Sequence, residues 1–288
     1  MGLGKGEGQV SHSTGTEHQP RIALLIDADN APAELIDEIL TELSTLGVIN
    51  IRRAYGNWTK SGLNGWQERL LEFAIRPMQQ FDYSKRTNAS DMAMTVDAME
   101  LLYTERPDAY GSVSSDADFT PLVMHLRAKG AAVYGFGAAQ TPRPFVNACS
   151  RFLYLEALAE VHAEAEGDRA GLPTAAAEGK PKPDGAGAPA SAPAPAARRV
   201  RVPTSQLRQD TALMNLLRDA VHAVQDEAGW ARVGEVGTQI SNKASFDPRN
   251  YGYATLSKLL GAVDAFEFRD EGTSRVAVRD KRVRAGAP

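Results

Sequence analysis

The sequence predicts an α/β protein: a three-layer domain with a mostly parallel sheet between helices, followed by a small helical domain with a β-hairpin. In residues 21–165, apolar runs alternate with amphipathic segments, as in β-α-β units. In residues 166–205 the composition changes largely to Ala, Gly and Pro. In residues 206–282, three helical patterns precede a hairpin pattern. The chain therefore divides into two domains joined by a linker.

The first domain begins with the apolar run IALLI (22–26), which ends at Asp27. A helical pattern closed by Gly47 follows. Further strands are predicted at 49–55, 78–81, 109–115 and 132–137, and further helices at 66–75, 91–103 and 119–129. In such parallel sheets, active groups gather just beyond the carboxyl ends of the strands.

Two segments lack the large apolar side chains that a core needs. Residues 166–205 include the stretch GKPKPDGAGAPASAPAPAARR, which cannot offset the entropy cost of ordering. We predict that it is a disordered and fairly extended linker. Residues 1–20 hold Gly, Ser and His without an apolar segment, so we predict a disordered tail and not a signal peptide.

The second domain, residues 206–282, has helical patterns at 207–224, 233–240 and 253–263 and a hairpin pattern at 266–278. This order is that of a winged helix-turn-helix. The whole chain carries a net charge of −4. Residues 21–165 hold 13 Lys and Arg against 19 Asp and Glu, whereas residues 196–288 hold 15 against 11. A nucleic-acid contact is therefore expected to be stronger in the rear part.

The composition excludes several classes of protein. No apolar run reaches the ~18–20 residues that cross a bilayer, so we expect no membrane contact. The single cysteine, Cys149, excludes an intramolecular disulfide framework and a cysteine-rich zinc site. It fits a reducing compartment, and we predict a cytoplasmic protein. The five histidines show no metal-ligand spacing, so any bound metal must have oxygen ligands. A homodimer is left open.

Four aspartates stand where the predicted sheet focuses active groups. Asp27 ends the first strand, Asp91 lies early in a helix, and Asp116 and Asp118 follow the fourth strand. Crowded carboxylates repel one another unless a cation is present, and Mg²⁺ or Mn²⁺ prefers carboxylate and water oxygens. Such an ion can activate a water and stabilise charge on a phosphodiester. The sequence therefore predicts one or two divalent ions at these four acids.

Three neighbouring polar residues, Asn30, Ser114 and Ser115, are expected to orient waters or a carboxylate. A purely structural role is the alternative, because Asp, Asn and Ser at strand ends often cap helices. For any one aspartate alone, helix capping is a sufficient explanation. Four acids at the focus of one sheet favour a common site.

These motifs resemble the NYN branch of the PIN-like nucleases. The resemblance covers about residues 21–155 and rests on Asp27-Ala-Asp29-Asn30, Asn88-Ala89-Ser90-Asp91 and Ser114-Ser115-Asp116-Ala117-Asp118-Phe119. It implies a Rossmann-like PIN/NYN fold and RNA cleavage. It also implies that Asp27, Asp91, Asp116 and Asp118 are the catalytic, metal-binding acids.

The rear domain resembles the OST-type (LOTUS) winged helix over about residues 206–280. The matching residues are Asn250-Tyr251-Gly252-Tyr253-Ala254-x-Leu256-x-x-Leu259-Leu260. This resemblance implies that the domain binds RNA, including structured or G-rich RNA.

Basic and aromatic residues in both domains are candidate RNA contacts, because lysine and arginine hold phosphates and aromatic rings stack on unpaired bases. The candidates are Trp58, Lys60, Lys85 and Arg86 in the first domain and Lys243, Arg249, Tyr251 and Lys258 in the second. Arg143 is a weaker candidate. Each of these can equally be an ordinary loop residue.

Two other functions stay open. The chain can be a catalytically inactive RNA-binding regulator that retains the acid pocket. Haloacid-dehalogenase-like phosphatases also begin with Asp-x-Asp after a strand, but here Asn30 follows Asp29 directly and the last two acids are two positions apart. The four intact acids favour the nuclease.

Overall fold

The computed structural model describes residues 19–81, 88–159 and 201–284. Most of the predicted tail and most of the predicted linker lie outside these residues. The described part of the first domain contains one sheet of six parallel strands in the order β3-β2-β1-β4-β5-β6. The strands are β1 (Arg21–Asp27), β2 (Val48–Gly56), β3 (Arg76–Gln79), β4 (Ala109–Val113), β5 (Ala132–Gly137) and β6 (Arg151–Tyr154).

Helices cover both faces of this sheet, as predicted, because the central strands are apolar on both sides. Along β1, six of the seven residues are buried. Alternate residues of β1 belong to two separate cores, one with Ile22, Leu24 and Ile26 and one with Ala23 and Leu25. The helices whose bounds lie within the described residues include Ile36–Ser44, Trp66–Glu72, Ala89–Thr104, Thr120–Ala128 and Arg143–Ala148.

The strand order reverses direction between β1 and β4. β1 pairs with β2 on one side and with β4 on the other, so the two crossover connections leave in opposite directions from this point. In open α/β sheets a crevice forms outside the carboxyl ends of the strands at such a switch point. Asp27 is the last residue of β1, and Ser114 directly follows β4.

The second domain is a winged helix. Its helices are Thr204–Gln209, Thr211–Val224, Val233–Lys243 and Leu256–Val263, with a short helix Lys281–Arg284 at the end. Strands β7 (Ala231–Arg232), β9 (Ala277–Asp280) and β8 (Phe266–Arg269) form an antiparallel sheet in that order. The domain has its own core, which includes Leu217, Val236 and Leu260.

Two helix boundaries differ from the predicted ones because polar side chains cap the backbone. The helix expected at 207–224 is interrupted at Asp210, whose carboxylate accepts a hydrogen bond from the Leu213 N–H at 3.0 Å. The helix expected at 253–263 begins only at Leu256, because the Thr255 hydroxyl accepts from the Lys258 N–H. The sequence analysis also missed β6 and the helix Arg143–Ala148.

Candidate functional site

Five aspartates are grouped at the switch point between β1 and β4: Asp27, Asp29, Asp91, Asp116 and Asp118. We call this group the acid site. Their proximity is visible in the pKa of Asp91, which the negative charges of the other four all raise. Asp27 ends β1, the loops that follow β1 and β4 carry three more, and the first turn of the helix Ala89–Thr104 carries Asp91.

Asp27 is the buried member, with 1% of its surface exposed. Its Oδ2 accepts hydrogen bonds from Asn30 Nδ2 at 2.9 Å and from Ser114 Oγ at 3.1 Å. Its Oδ1 is buried and has no hydrogen-bond partner among the residues that the structure describes. Burial raises the pKa of Asp27, and the two hydrogen bonds only partly oppose that effect. Burying an ionised carboxylate with one unpaired oxygen costs free energy unless a further partner binds that oxygen.

The loop after β4 is ordered by a chain of hydrogen bonds that ends at Asp27. The Asp118 N–H donates to Asp116 Oδ1 at 2.8 Å, and the Asp116 N–H donates to Ser114 Oγ at 3.1 Å. Ser114 Oγ in turn donates to Asp27. Asp116 and Asp118 therefore keep a fixed relation to the buried carboxylate. Asp116 is partly exposed and Asp118 is exposed.

Asp91 has the pKa that is raised most among the five aspartates of the acid site. Burial, followed by the charges of Asp27 and Asp116, raises its pKa to about 6. Within residues 19–81, 88–159 and 201–284 it has no cationic partner. Like charges held together in this way favour either a proton or a bound cation.

Sequence reasoning underestimated Asp29 and Ser90. Asp29 Oδ2 accepts a hydrogen bond from Ser90 Oγ at 2.8 Å, and Lys60 Nζ lies 3.7 Å from Asp29 Oδ1. Asp29 therefore joins the acids to the loop after β2 and to the helix that carries Asp91. The Asp-x-Asp spacing was the available signal, since a turn after a strand can bring both acids to one site.

Ser115, expected to support the acids, has a different role. Its Oγ accepts a hydrogen bond from the Ala138 N–H at 2.8 Å, so it holds the loop after β5. Asn30 and Ser114, the other two supporting residues, do contact an acid.

The donor set of the acid site fits a hard divalent cation in its chemistry. All candidate ligands are carboxylate or hydroxyl oxygens, and Asp27 Oδ1 is buried without a partner in the described part of the chain. The described part of the chain contains no preformed group of three or more His, Cys, Asp or Glu side chains that could hold a metal ion. Mg²⁺ usually binds through one or two carboxylates, several waters and substrate phosphates, so such a cage is not required.

The candidate RNA contacts of the first domain lie in different surroundings. Lys60 lies at the acid site beside Asp29. Trp58 packs against the core between β1 and the helix Trp66–Glu72, and its indole N–H is buried. A packing role is therefore the better description of Trp58. Lys85 and Arg86 lie outside the described residues.

The candidates of the second domain are also divided. Lys258 is exposed, and Lys243 is exposed with its Nζ 2.6 Å from Asp219. Arg249 is an incorrect prediction: its guanidinium is held by Glu42 and Asp247, and its side chain is 16% exposed. Tyr251 is half-buried beside Phe246, with ring centroids 5.9 Å apart. Arg249 therefore has a contact within the protein where the sequence predicted a phosphate.

Comparison with known families follows the same division of the chain. The NYN domain model matches residues 21–156, and the OST-HTH/LOTUS domain model matches residues 206–278. The chain therefore contains an NYN domain followed by an OST-HTH/LOTUS domain. NYN domains belong to a nuclease superfamily and LOTUS domains are associated with RNA, so this architecture supports a role in RNA binding and nuclease chemistry.

Two individual proteins are similar to part of this chain. An uncharacterized protein of Methanocaldococcus jannaschii is 34% identical over 122 residues, which are 41% of this chain and 48% of that protein. The chain thus matches about half the length of this relative. A protein of unknown function from Vibrio parahaemolyticus is 19% identical over 48% of this chain and 94% of its own, with a TM-score of 0.39. No helix in the described residues is long and apolar enough to cross a membrane.

Proposed function

We propose that this protein is a metal-dependent ribonuclease that hydrolyses RNA phosphodiesters at the acid site. The observation that carries the proposal is the arrangement around Asp27. It is a buried carboxylate with one unpaired oxygen, tied by hydrogen bonds to the loop of Asp116 and Asp118. Asp91 adds a further negative charge at the same place. A divalent cation is the ligand that lets these groups stay ionised together.

Asp27, Asp91, Asp116 and Asp118 would hold Mg²⁺ or Mn²⁺. A bound ion of this kind supplies an activated water and stabilises charge that develops on the phosphate. Asn30 and Ser114 fix the orientation of the Asp27 carboxylate, so this ligand does not have to be ordered when substrate arrives. The Asp116 carboxylate is oriented by the N–H of Asp118.

Lys60 is the residue of the NYN domain best placed to bind the RNA backbone. It lies beside Asp29 at the edge of the acid site, and its side chain is 48% exposed. A lysine at this position offsets part of the negative charge that otherwise repels RNA. Phosphate contacts of this type position the nucleic acid and are not sequence-specific.

The outer face of the wing is our candidate RNA-binding surface of the LOTUS domain. Arg232 and Arg269 both lie opposite Ala277 across the sheet, and Arg279 lies opposite Glu267. These side chains therefore share one face, while Phe266 and Val278 belong to the buried core on the other.

Trp230 organises the arginines on this face. The guanidinium carbons of Arg269 and Arg279 lie 4.8 Å and 4.6 Å from the centre of its ring. The stacking orders both guanidinium groups before RNA binds, which reduces the entropy lost on binding. Arginine planes and aromatic rings are the groups on which unpaired bases stack. We therefore replace Arg249 by this surface among the candidate RNA contacts of the second domain and keep Lys258.

The central test measures cleavage of labelled single-stranded RNA by the purified full chain with Mg²⁺ or Mn²⁺. We expect cleavage that stops with EDTA and is lost in Asp116→Asn, while Asp37→Asn, a change at an exposed acid of another helix, retains it. Cleavage that survives EDTA or Asp116→Asn rejects the proposal. RNA binding without turnover under any metal condition would instead assign the protein to the inactive regulators.

A further inference from the structure

The winged-helix domain covers the open edge of the NYN sheet. β6 is the last strand of the sheet, so its outer N–H and C=O groups face away from β5. The Tyr154 N–H donates to Asn250 Oδ1 at 3.1 Å, and Asn250 Nδ2 donates to the Phe152 carbonyl at 3.0 Å. In a parallel sheet, one residue of a neighbouring strand makes these same two bonds. The Asn250 amide thus imitates one residue of a seventh strand.

A cluster of four charges lies next to Asn250, and we call it the docking cluster. The NYN domain provides Glu42 and Arg151, and the winged helix provides Asp247 and Arg249. Arg249 donates to both oxygens of Glu42, at 2.7 Å and 2.8 Å. Arg151 bridges the domains in the other direction, with its Nη2 2.7 Å from Asp247 Oδ2. Each domain supplies one cation and one anion, so the cluster is neutral.

Three of the four members of the docking cluster are shielded from solvent. The side chain of Asp247 is 0% exposed, those of Glu42 and Arg249 are 14% and 16% exposed, and that of Arg151 is 34% exposed. Ion pairs at an exposed surface contribute little, whereas removing one partner of a buried group leaves an uncompensated charge. Separation of the domains returns all four groups to water together. The cluster therefore contributes more to the specificity of the docked position than to the free energy of docking.

The loop that carries Asp247, Arg249 and Asn250 has a fixed shape of its own. Asp247 Oδ1 accepts from the Arg249 N–H at 2.9 Å and caps the short helix Pro248–Tyr251. Gly252 ends that helix with φ +79°, and a Cβ at this position would lie 3.0 Å from Arg201 Cα. The docking side chains are therefore ordered within their own domain, which lowers the entropy cost of docking.

Docking creates a cleft between the two domains. Its volume is about 530 Å³, and its walls include Tyr154 and Arg143 from the NYN domain and Phe246 and Tyr251 from the winged helix. Tyr154 is the last residue of β6, so this part of the cleft wall lies at the carboxyl end of a strand of the parallel sheet, as the acid site does. Arg143 is exposed and forms no ion pair with any residue that the structure describes. The other charges of the cleft are paired or cap a helix, as Asp219 with Lys243 and Asp210 with Leu213.

We propose that the winged-helix domain is a docked, fixed part of the enzyme and that the cleft takes single-stranded RNA. Three aromatic rings and one unpaired arginine are the elements of sequence-tolerant single-strand binding, in which bases stack and a cation holds the phosphate. The docking stands on contacts alone, whereas the choice of RNA as ligand rests on the proposed function.

The docking is tested by small-angle X-ray scattering of the full chain. We expect a single compact species, a larger radius of gyration in Arg249→Glu and in Asn250→Ala, and no change in the control Arg275→Glu on the wing loop. In Arg249→Glu combined with Glu42→Arg, each domain carries one sign of charge and the two signs still face each other, so we expect a return toward the compact value. Thermal unfolding of each variant separates undocking from loss of fold.

A wild-type radius of gyration equal to that of two independent domains, or no expansion in Arg249→Glu, overturns the docking. A concentration-dependent mass in analytical ultracentrifugation that disappears in Arg249→Glu would mean that the same contact joins two copies, which contradicts docking within one chain.

The cleft is tested by fluorescence anisotropy with a labelled oligouridine in EDTA, so that binding is measured without cleavage. We expect Arg143→Glu to weaken binding by about threefold or more, in keeping with loss of one phosphate contact. The control Arg76→Glu removes an exposed arginine at the opposite edge of the sheet and should have a smaller effect. Equal affinity of Arg143→Glu and wild type, or preference for duplex RNA, rejects the cleft as a single-strand site. Because catalysis is not measured, an inactive acid site does not affect this result.

Discussion

The acid site and the docking cluster contain carboxylates in opposite electrostatic surroundings. In the docking cluster, the hydrogen bond from Arg249 lowers the pKa of Glu42. Burial of Asp247 would raise its pKa, but Arg249 and Arg151 outweigh that effect and lower it overall. In the acid site, burial and neighbouring negative charges raise the pKa of Asp91 to about 6. The difference therefore comes from the cations provided by the chain.

This contrast separates a structural use of acids from a functional one. Asp97, which belongs to neither group, follows the structural pattern, because it is buried and contacts Arg53 and Tyr55. Where the chain supplies guanidinium groups, the carboxylates hold elements together. At the carboxyl end of the parallel sheet no guanidinium group pairs with the acids in the described residues, and folding brings their negative charges together. Perturbed groups of the second kind favour function.

The largest expected effect is on catalysis. We expect Asp91→Asn to reduce the rate of RNA cleavage by at least about 100-fold, the scale of loss when a group that stabilises transition-state charge is removed. The variant should retain its fold, because a neutral amide relieves repulsion. Initial rates with saturating Mn²⁺ and circular dichroism measure the two quantities. A rate within a few-fold of wild type would mean that Asp91 takes no part in the chemistry.

The second effect is release of the docked domain in acid. Glu42 and Asp247 have pKa values lowered from 4.5 and 3.8, so their contribution is complete above those values and is lost as the pH falls through the lower folded ones. Scattering at stepwise lower pH should show a constant radius of gyration from pH 7 to about 5 and expansion only below about 4. A Glu42→Gln variant provides the control, since its neutral side chain cannot titrate. Expansion already between pH 7 and 5 would contradict this assignment.

The third effect is a gain in stability, whereas a typical mutation lowers the free energy of unfolding. The raised pKa of Asp91 means that its ionised form destabilises the metal-free protein as the pH rises through about 6. Solvent screens part of this repulsion, so we expect Asp91→Asn to stabilise the fold by roughly 1 kcal/mol at pH 7.5. Urea unfolding in EDTA measures the difference. The gain should shrink as the pH falls below about 6 and disappear only near the ordinary value of 3.8, because between these values Asp91 is protonated in the folded protein but ionised in the unfolded chain. A gain that is equal at pH 7.5 and near pH 4 would point to another cause.

Much of this fold followed from local sequence patterns. The apolar run 22–26 and the amphipathic segments after it predicted the parallel sheet, because burial on both faces requires such runs. The NYN and LOTUS assignments are confirmed by the family models. The position of the acids at the carboxyl ends of β1 and β4 could also be predicted from the sequence. In a parallel sheet all carboxyl ends lie on the same side, so the strand order is not needed for this prediction.

The docking could not be predicted in the same way. Arg249 and Glu42 are 207 positions apart, and nothing in the local sequence of either indicates an ion pair. An arginine in a polar loop of a basic domain is usually a surface residue, which is why a phosphate contact was predicted. Similarly, only the sheet order shows that β6 is an edge strand whose backbone Asn250 can pair. Such contacts depend on tertiary arrangement.

The smallest expected effect concerns the wing, where two arginines stack on one aromatic ring. Arg269 stacks on Trp230 and is 52% exposed, so Arg269→Ala should weaken RNA binding by about threefold with no change in fold. Arg208→Ala is the matched control, because Arg208 lies in the same domain but contacts Val263 and Asp264 instead of the Trp230 ring. If the wing makes a phosphate contact, the dependence of affinity on salt should also become less steep in Arg269→Ala alone. Equal affinities and salt slopes in both variants would remove the wing from the RNA surface and leave the interdomain cleft to account for binding.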